Sequence, residues 1–247
     1  MLLHGIYARK EHWVDVAEEM VHEYHVIALD LPGFGDNAVL DIEDYEISKQ
    51  SKHLALVIDA LNLDEFHIGA NSMGAYIATK YVGDFPERSK TLSFIGSPLG
   101  VLTPIKSDME IAMESNELPL LATTPKKFYA RNDWLSPNRI HVPSPVLKTW
   151  MHKEVAQSET NRSIWDIVHA DLVPITELGG IDTYAGTTLI LWCEDDRIFH
   201  FSGAEVLSRA LERPRVEVLQ DCGHVPMLDQ PKLTAAKYKE FLQSQPL

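Results

Sequence analysis

Ser72 stands in the segment Ala70-Asn71-Ser72-Met73-Gly74-Ala75, between a strand-like run, Phe66-His67-Ile68-Gly69, and a helix-like run rich in Ala, Met and Ile over 72–81. A serine on a sharp strand-to-helix turn exposes its hydroxyl at the top of a sheet, where it can attack an electrophilic carbonyl. The turn strains the backbone and requires small residues two before and two or three after the serine, so that strand and helix pass closely. Ala70, Gly74 and Ala75 meet that need, with Ala70 where the pattern usually begins with Gly. The same residue also reads as an ordinary helix N-cap, a position that serine favours. Partners elsewhere in the chain must separate the two readings.

A serine hydroxyl is a weak nucleophile until a histidine, held in one tautomer by a carboxylate, takes its proton. Asp196 lies in Cys193-Glu194-Asp195-Asp196-Arg197, just after an apolar run ending at Trp192, and His224 lies in Asp221-Cys222-Gly223-His224, after a run ending at Leu219. Loops leaving the carboxyl ends of parallel strands converge on one edge of the sheet, which would bring the serine, the aspartate and the histidine together. Glu194 and Asp195 are alternative acids, and Asp196 beside Arg197 also reads as a solvated loop charge. Among 11 histidines, His224 is singled out by its loop, whereas His22 and His25 read as a solvated helix end. An oxyanion formed in acyl transfer needs preorganised N–H donors. Met73 supplies one, and Ile6, after Leu3-His4-Gly5, is placed to supply the second.

These residues need a frame of alternating strands and helices. The run 22–30 ends in Leu31-Pro32-Gly33-Phe34-Gly35 and reads as a buried strand entering a turn, and helical spacing follows over 45–61. Strands are expected over 92–96, 188–192 and 216–219, and helices over 202–211 and 231–242. The alternation predicts a mostly parallel sheet with helices on both faces. From 98 to 180 eight prolines punctuate short helical segments without a strand-like run. The expected organisation is an α/β core formed by 1–97 and 181–247, interrupted by a helical cap, or lid, at 98–180. Proline-rich joins near Pro98 and Pro174 suggest that the cap gates an entrance.

A chain of 247 residues with 45% hydrophobic and 23% charged residues has ordinary globular composition. The formal net charge of −14 repels phosphate backbones and anionic membrane surfaces, so no nucleic-acid partner is expected. No stretch approaches the ~20 apolar residues needed to span a bilayer, and the first residues lack an export signal. Stable membrane insertion is therefore not expected, and the location predicted is cytoplasmic. Cys193 and Cys222 form no framework or metal motif and are expected to be free, buried thiols. Neither a metal nor a cofactor is required.

Leu3-His4-Gly5, Asp30-Leu31-Pro32-Gly33-Phe34-Gly35, Asn71-Ser72-Met73-Gly74, Trp192 to Arg197 and Cys222-Gly223-His224 together resemble the α/β-hydrolase superfamily across essentially the whole chain. Asn116-Glu117-Leu118-Pro119-Leu120-Leu121 with Thr124-Pro125, and Phe201-Ser202-Gly203-Ala204, look like its capped monoacylglycerol-lipase and esterase branch. The resemblance implies hydrolysis of a carboxylic ester or acylglycerol through an acyl-serine. It favours Asp196 as the acid, by its distance from the strand end. It also implies that apolar cap side chains form the acyl pocket, with Phe128, Trp134, Leu147, Trp150, Met151 and Trp165 as the residues expected there. Two departures accompany it. Cys193 stands where the family usually has Gly, and the family's two strands ahead of the His-Gly loop have no counterpart. Either the chain is truncated or the sheet exposes a new edge, open to pairing, with a cost to stability.

Two other readings compete. Hydrolysis of carbon–carbon bonds in ring-cleavage diketones occurs in a branch with a similar Asn-Ser-Met-Gly elbow, and would call for basic residues such as Lys126, Lys127 or Arg131 near the substrate. A binding protein that keeps the fold with little turnover is the other, although an intact triad argues against it. Dehalogenase and epoxide-hydrolase chemistry need a carboxylate where Ser72 stands. A dinucleotide site is disfavoured because Gly33-Phe34-Gly35 lacks the third glycine and the following helix.

Overall fold

The computed structural model describes residues 1–138, 142–170, 172–182 and 184–245. Among them, six parallel strands form one sheet in the order β2-β1-β3-β4-β5-β6. These are β1 (Leu2–Leu3), β2 (Ala28–Leu29), β3 (Phe66–Asn71), β4 (Ser89–Pro98), β5 (Thr187–Cys193) and β6 (Pro214–Leu219). The four central strands carry apolar residues on successive positions, as a sheet covered on both faces requires. In β5, Ile190 and Trp192 face one core while Leu189, Leu191 and Cys193 face the other.

Helices α1 (Val14–Met20), α2 (Ile47–Ala60) and α3 (Ser72–Asp84) alternate with the first strands, and α9 (Gly203–Arg209), α10 (Pro226–Asp229) and α11 (Pro231–Gln243) with the last. Val16 and Met20 of α1 join Tyr238, Phe241 and Leu242 of α11 on one face of the sheet. Leu54 and Ile58 of α2, Ile77, Tyr81 and Val82 of α3, and Leu207 of α9 fill the other. Between β4 and β5 lie α4 (Asp108–Glu114), α5 (Pro125–Ala130), α6 (Asn132–Leu135), α7 (Ser144–Ala156) and α8 (Ser158–Ala170), with no strand among the described residues. Ser107 caps α4 through a capping box with Glu110, and Thr124 caps α5 ahead of Pro125.

Two expectations need correction. The strand expected over 22–30 shrinks to Ala28–Leu29, and both residues are only half-buried. β2 is an edge strand with a neighbour on one side, so its apolar run does not reach the doubly covered centre. Cys193 and Cys222 are not free thiols but a disulfide, with Cα atoms 5.3 Å apart. Their separation of 29 residues hides an adjacency that the fold creates. Parallel pairing sets Cys193 beside Leu219, and the chain then turns back within three residues.

Candidate active site

Ser72 is the first residue of α3 and has φ of 52°, in the left-handed region that a side chain with a Cβ occupies at a cost. The chain holds it there from three sides. Asn71 ends β3 in an extended conformation, Leu99 N–H donates to the Ser72 carbonyl at 3.1 Å, and Ser72 bridges to Pro98 at the end of β4. The tightest contact explains Gly74. A Cβ there would lie 2.4 Å from the His4 carbonyl oxygen, so only glycine lets α3 pass so close to the loop after β1.

That loop is itself fixed by a neutral histidine. His4 donates from Nδ1 to the Gly5 carbonyl at 2.7 Å and accepts the Leu31 N–H on Nε2 at 3.0 Å, which defines the tautomer. Burial pushes its pKa down to about 4. Gly5 then approaches the serine so closely that a Cβ would meet Ser72 Cβ at 2.9 Å and Oγ at 3.5 Å. Ile6 follows directly and lines the same cavity as Ser72 and Met73.

Asp196 and His224 meet as the spacing predicts. His224 Nδ1 lies 3.2 Å from Asp196 Oδ2, and both residues are buried. Asp196 Oδ1 accepts the N–H groups of Ile198, at 2.9 Å, and Phe199, at 3.2 Å. Glu194 and Asp195 point to solvent instead. The His224 backbone is also pinned: its N–H donates to Leu135 O of α6, and its carbonyl accepts from Asn71 Nδ2. His224 and Ser72 line one small recess, so imidazole and hydroxyl share a compartment.

Ser97 is a member that the sequence reading missed. Its hydroxyl donates to Asp196 Oδ2 at 2.5 Å and lies 2.8 Å from His224 Nδ1, fully buried. A polar residue at the carboxyl end of β4, just after the apolar pair Phe94-Ile95, was the available signal. Gly96 before it has φ of 80°, and a Cβ there would meet Asn71 Nδ2 and the His224 carbonyl at 2.5 Å.

Ser72 opens onto a cavity of about 290 Å³ whose walls are mostly apolar, with Glu110 and His169 among them. Of the six cap residues expected there, only Trp165 lines it. Phe128 and Met151 pack with Leu147 and Trp150 in a separate cluster, and Trp134 stacks under the Arg197 guanidinium at 4.5 Å. The walls come instead from the segment after β4 (Leu99, Val101), from α4 (Met109, Met113), and from Leu120, Ile198 and Phe199. These residues lie in loops or short helices, where no periodicity marks the inward side. Lys126 and Lys127 are exposed, and no Lys or Arg lines the large cavity. Among the described residues no cluster of His, Cys, Asp or Glu could hold a metal ion, and no helix is long and apolar enough to cross a membrane.

Comparison with known proteins agrees with this geometry. The model of the alpha/beta hydrolase family matches residues 1–237. A monoacylglycerol lipase of Bos taurus, ABHD6, is 24% identical over 99% of this chain and 75% of its own length. Lipase 3 of a Moraxella species is 26% identical over 98% of this chain and 76% of its own. The crystal structure of a membrane phospholipase A, described as a bacterial virulence factor, superposes with a TM-score of 0.92 at 32% identity, covering 98% of this chain and 77% of that one.

Proposed function

Because this chain belongs to the alpha/beta hydrolase family, we propose that it hydrolyses carboxylic esters of apolar acids, with Ser72 as nucleophile, His224 as base and Asp196 as the acid that orients it. One observation carries the reading. A serine held at positive φ opens onto a large apolar cavity and shares a recess with a histidine backed by a buried carboxylate. The relatives whose names include lipase support the same chemistry.

In this mechanism His224 Nε2 takes the Ser72 proton as Oγ attacks the ester carbonyl. The backbone N–H groups of Ile6 and Met73 receive the oxyanion, a term worth several kcal/mol when the donors are preorganised. His224 then protonates the leaving alcohol. A water deprotonated by the same histidine releases the acid from the acyl-serine. Asp196 keeps Nδ1 protonated and offsets the charge on the imidazolium. The apolar acyl chain occupies the large cavity, with Trp165, Met109 and Phe199 against it. Residues 98–180 act as the cap over this cavity, and the core 1–97 and 181–247 supplies the catalytic groups. The Cys193–Cys222 bond favours a chain that folds in an oxidising compartment, which speaks against the cytoplasmic expectation.

A fluorophosphonate probe tests the assignment. Intact mass should rise by one adduct, mapped to the peptide holding Ser72, and Ser72→Ala should take up none. An adduct on another serine would overturn the assignment.

A further inference from the structure

Tyr7 stands one residue past Ile6, the second oxyanion donor of the mechanism above, and its backbone is strained. Its φ is 56°, in the left-handed region where a side chain costs free energy and glycine or asparagine is the usual occupant of a turn. The residue closes a tight turn in which Ala8 N–H donates to the Gly5 carbonyl at 3.2 Å. A tyrosine in such a position calls for something that holds it there.

The turn itself aims the donor. The Gly5 carbonyl meets His4 Nδ1 at 2.7 Å as well as the Ala8 N–H. Across a trans peptide the carbonyl and the following N–H point in opposite directions, so the two bonds on Gly5 O turn the Ile6 N–H away from His4. No described residue accepts that N–H, and Gly5 packs directly on the Ser72 side chain. Rotation of the turn at Tyr7 would therefore swing an unused donor beside the reacting hydroxyl.

What holds Tyr7 comes from the cap. Its hydroxyl donates at 2.6 Å to the carbonyl of Asn161, in the first turn of α8 and 154 residues away in sequence. Burial pushes the phenol well above its ordinary pKa, so the group stays a donor at any working pH. The acceptor is itself immobilised. Asn161 N–H donates to Gln157 O at 2.8 Å and its side-chain amide to Glu154 O at 3.3 Å, while both terminal nitrogens of Arg131 bond the Glu154 carboxylate. The Tyr7 ring packs against the main core and also against the cluster of Met109, Leu120 and Trp165 that lines the acyl cavity. One side chain thus spans core and cap beside the donor peptide.

We propose that Tyr7 is a positioning residue for the oxyanion hole: its bond to Asn161 O holds the Gly5–Ala8 turn so that the Ile6 N–H meets the oxyanion, and the hole is complete only while α8 is seated. The inference rests on the ester-hydrolase reading above. It gives the cap a part in the chemical step beyond enclosing the acyl chain.

Tyr7→Phe keeps the ring and deletes the bond. Its kcat for ethyl decanoate should fall about tenfold to a hundredfold with KM little changed, the mark of an interaction made in the transition state. A trifluoromethyl decyl ketone reports on the hole directly, because Ser72 Oγ adds to its carbonyl, the serine proton passes to His224, and the hemiketal oxyanion occupies the hole. Its Ki should rise by the same factor as kcat falls, whereas the corresponding secondary alcohol, which forms no adduct, should bind both proteins equally. Tyr7→Gly relaxes the strained φ but supplies no tether, and should be at least as slow as Tyr7→Phe. Unchanged kcat and ketone Ki in Tyr7→Phe, equal losses for ketone and alcohol, or wild-type kcat in Tyr7→Gly would each overturn the proposal while leaving ester hydrolysis in place. A wild type that neither hydrolyses the ester nor binds the ketone more tightly than the alcohol would instead defeat the ester reading itself.

Discussion

In the proposed mechanism Ser97 contributes a hydroxyl to the contact that orients His224. It donates to the same Asp196 oxygen that faces His224 Nδ1, and it packs against that nitrogen, so the imidazole is located by two oxygens instead of one. Ser97→Ala should lower kcat about tenfold, equivalent to ~1.4 kcal/mol, with KM little changed, because no Ser97 atom lines the acyl cavity. Asp196→Asn alone should cost about 10³–10⁴-fold. Adding Ser97→Ala to it should cost little more, since both act through one ring. Fully additive losses in steady-state kinetics would show that Ser97 acts elsewhere. At this scale the sequence was informative where a residue sat at a recognisable strand end. Ser72, Asp196 and His224 each follow a clear apolar run. Ser97 does too, but its role exists only because β4 lies next to β5, and no spacing in the chain announces that register.

At the level of elements, the last two core strands were legible from their apolar runs, and the consequence of their pairing was not. Cys193 ends β5 three residues before Asp196, and Cys222 comes two residues before His224, so their disulfide ties together the two loops that bring Asp196 and His224 into contact. In the chain-entropy picture, closing a loop of this length stabilises by about 3–4 kcal/mol. Reduction with dithiothreitol, or the double change Cys193→Ser/Cys222→Ser, should therefore lower Tm by roughly 6–16 °C, taking ~2–4 °C per kcal/mol for a chain of this size. An unchanged Tm with both thiols demonstrably reduced would contradict the structural role. The short helices between β4 and β5 were read as helical from prolines and composition. Which side chains of α4, α5 and α6 line the cavity was not legible, because elements of four to seven residues carry too few turns to define a face.

The molecule as a whole is a parallel sheet whose catalytic edge is assembled by buried polar groups, and this shapes its response to pH. His4 is fully buried, neutral and bonded at both ring nitrogens. Its folded pKa of about 4 lies below the ordinary 6.5. Between these values the unfolded chain binds a proton that the folded chain refuses, so stability falls as pH drops from about 6.5 towards 4, by up to ~3 kcal/mol from this residue alone. His12 and His67 are pushed the same way by burial. Urea unfolding should show a lower midpoint at pH 5 than at pH 7, and equal midpoints would mean that His4 is protonated in the fold. The order of strands and helices was legible from hydrophobic alternation, whereas the protonation of His4 required its two partners to be seen. The central claim is that Ser72 performs acyl transfer beside an apolar cavity, and the most direct measurement is hydrolysis of p-nitrophenyl esters from acetate to palmitate by wild type and Ser72→Ala. The account predicts turnover with a chain-length optimum in wild type and a loss of at least about 10³-fold in the variant; equal turnover by the two proteins would contradict it.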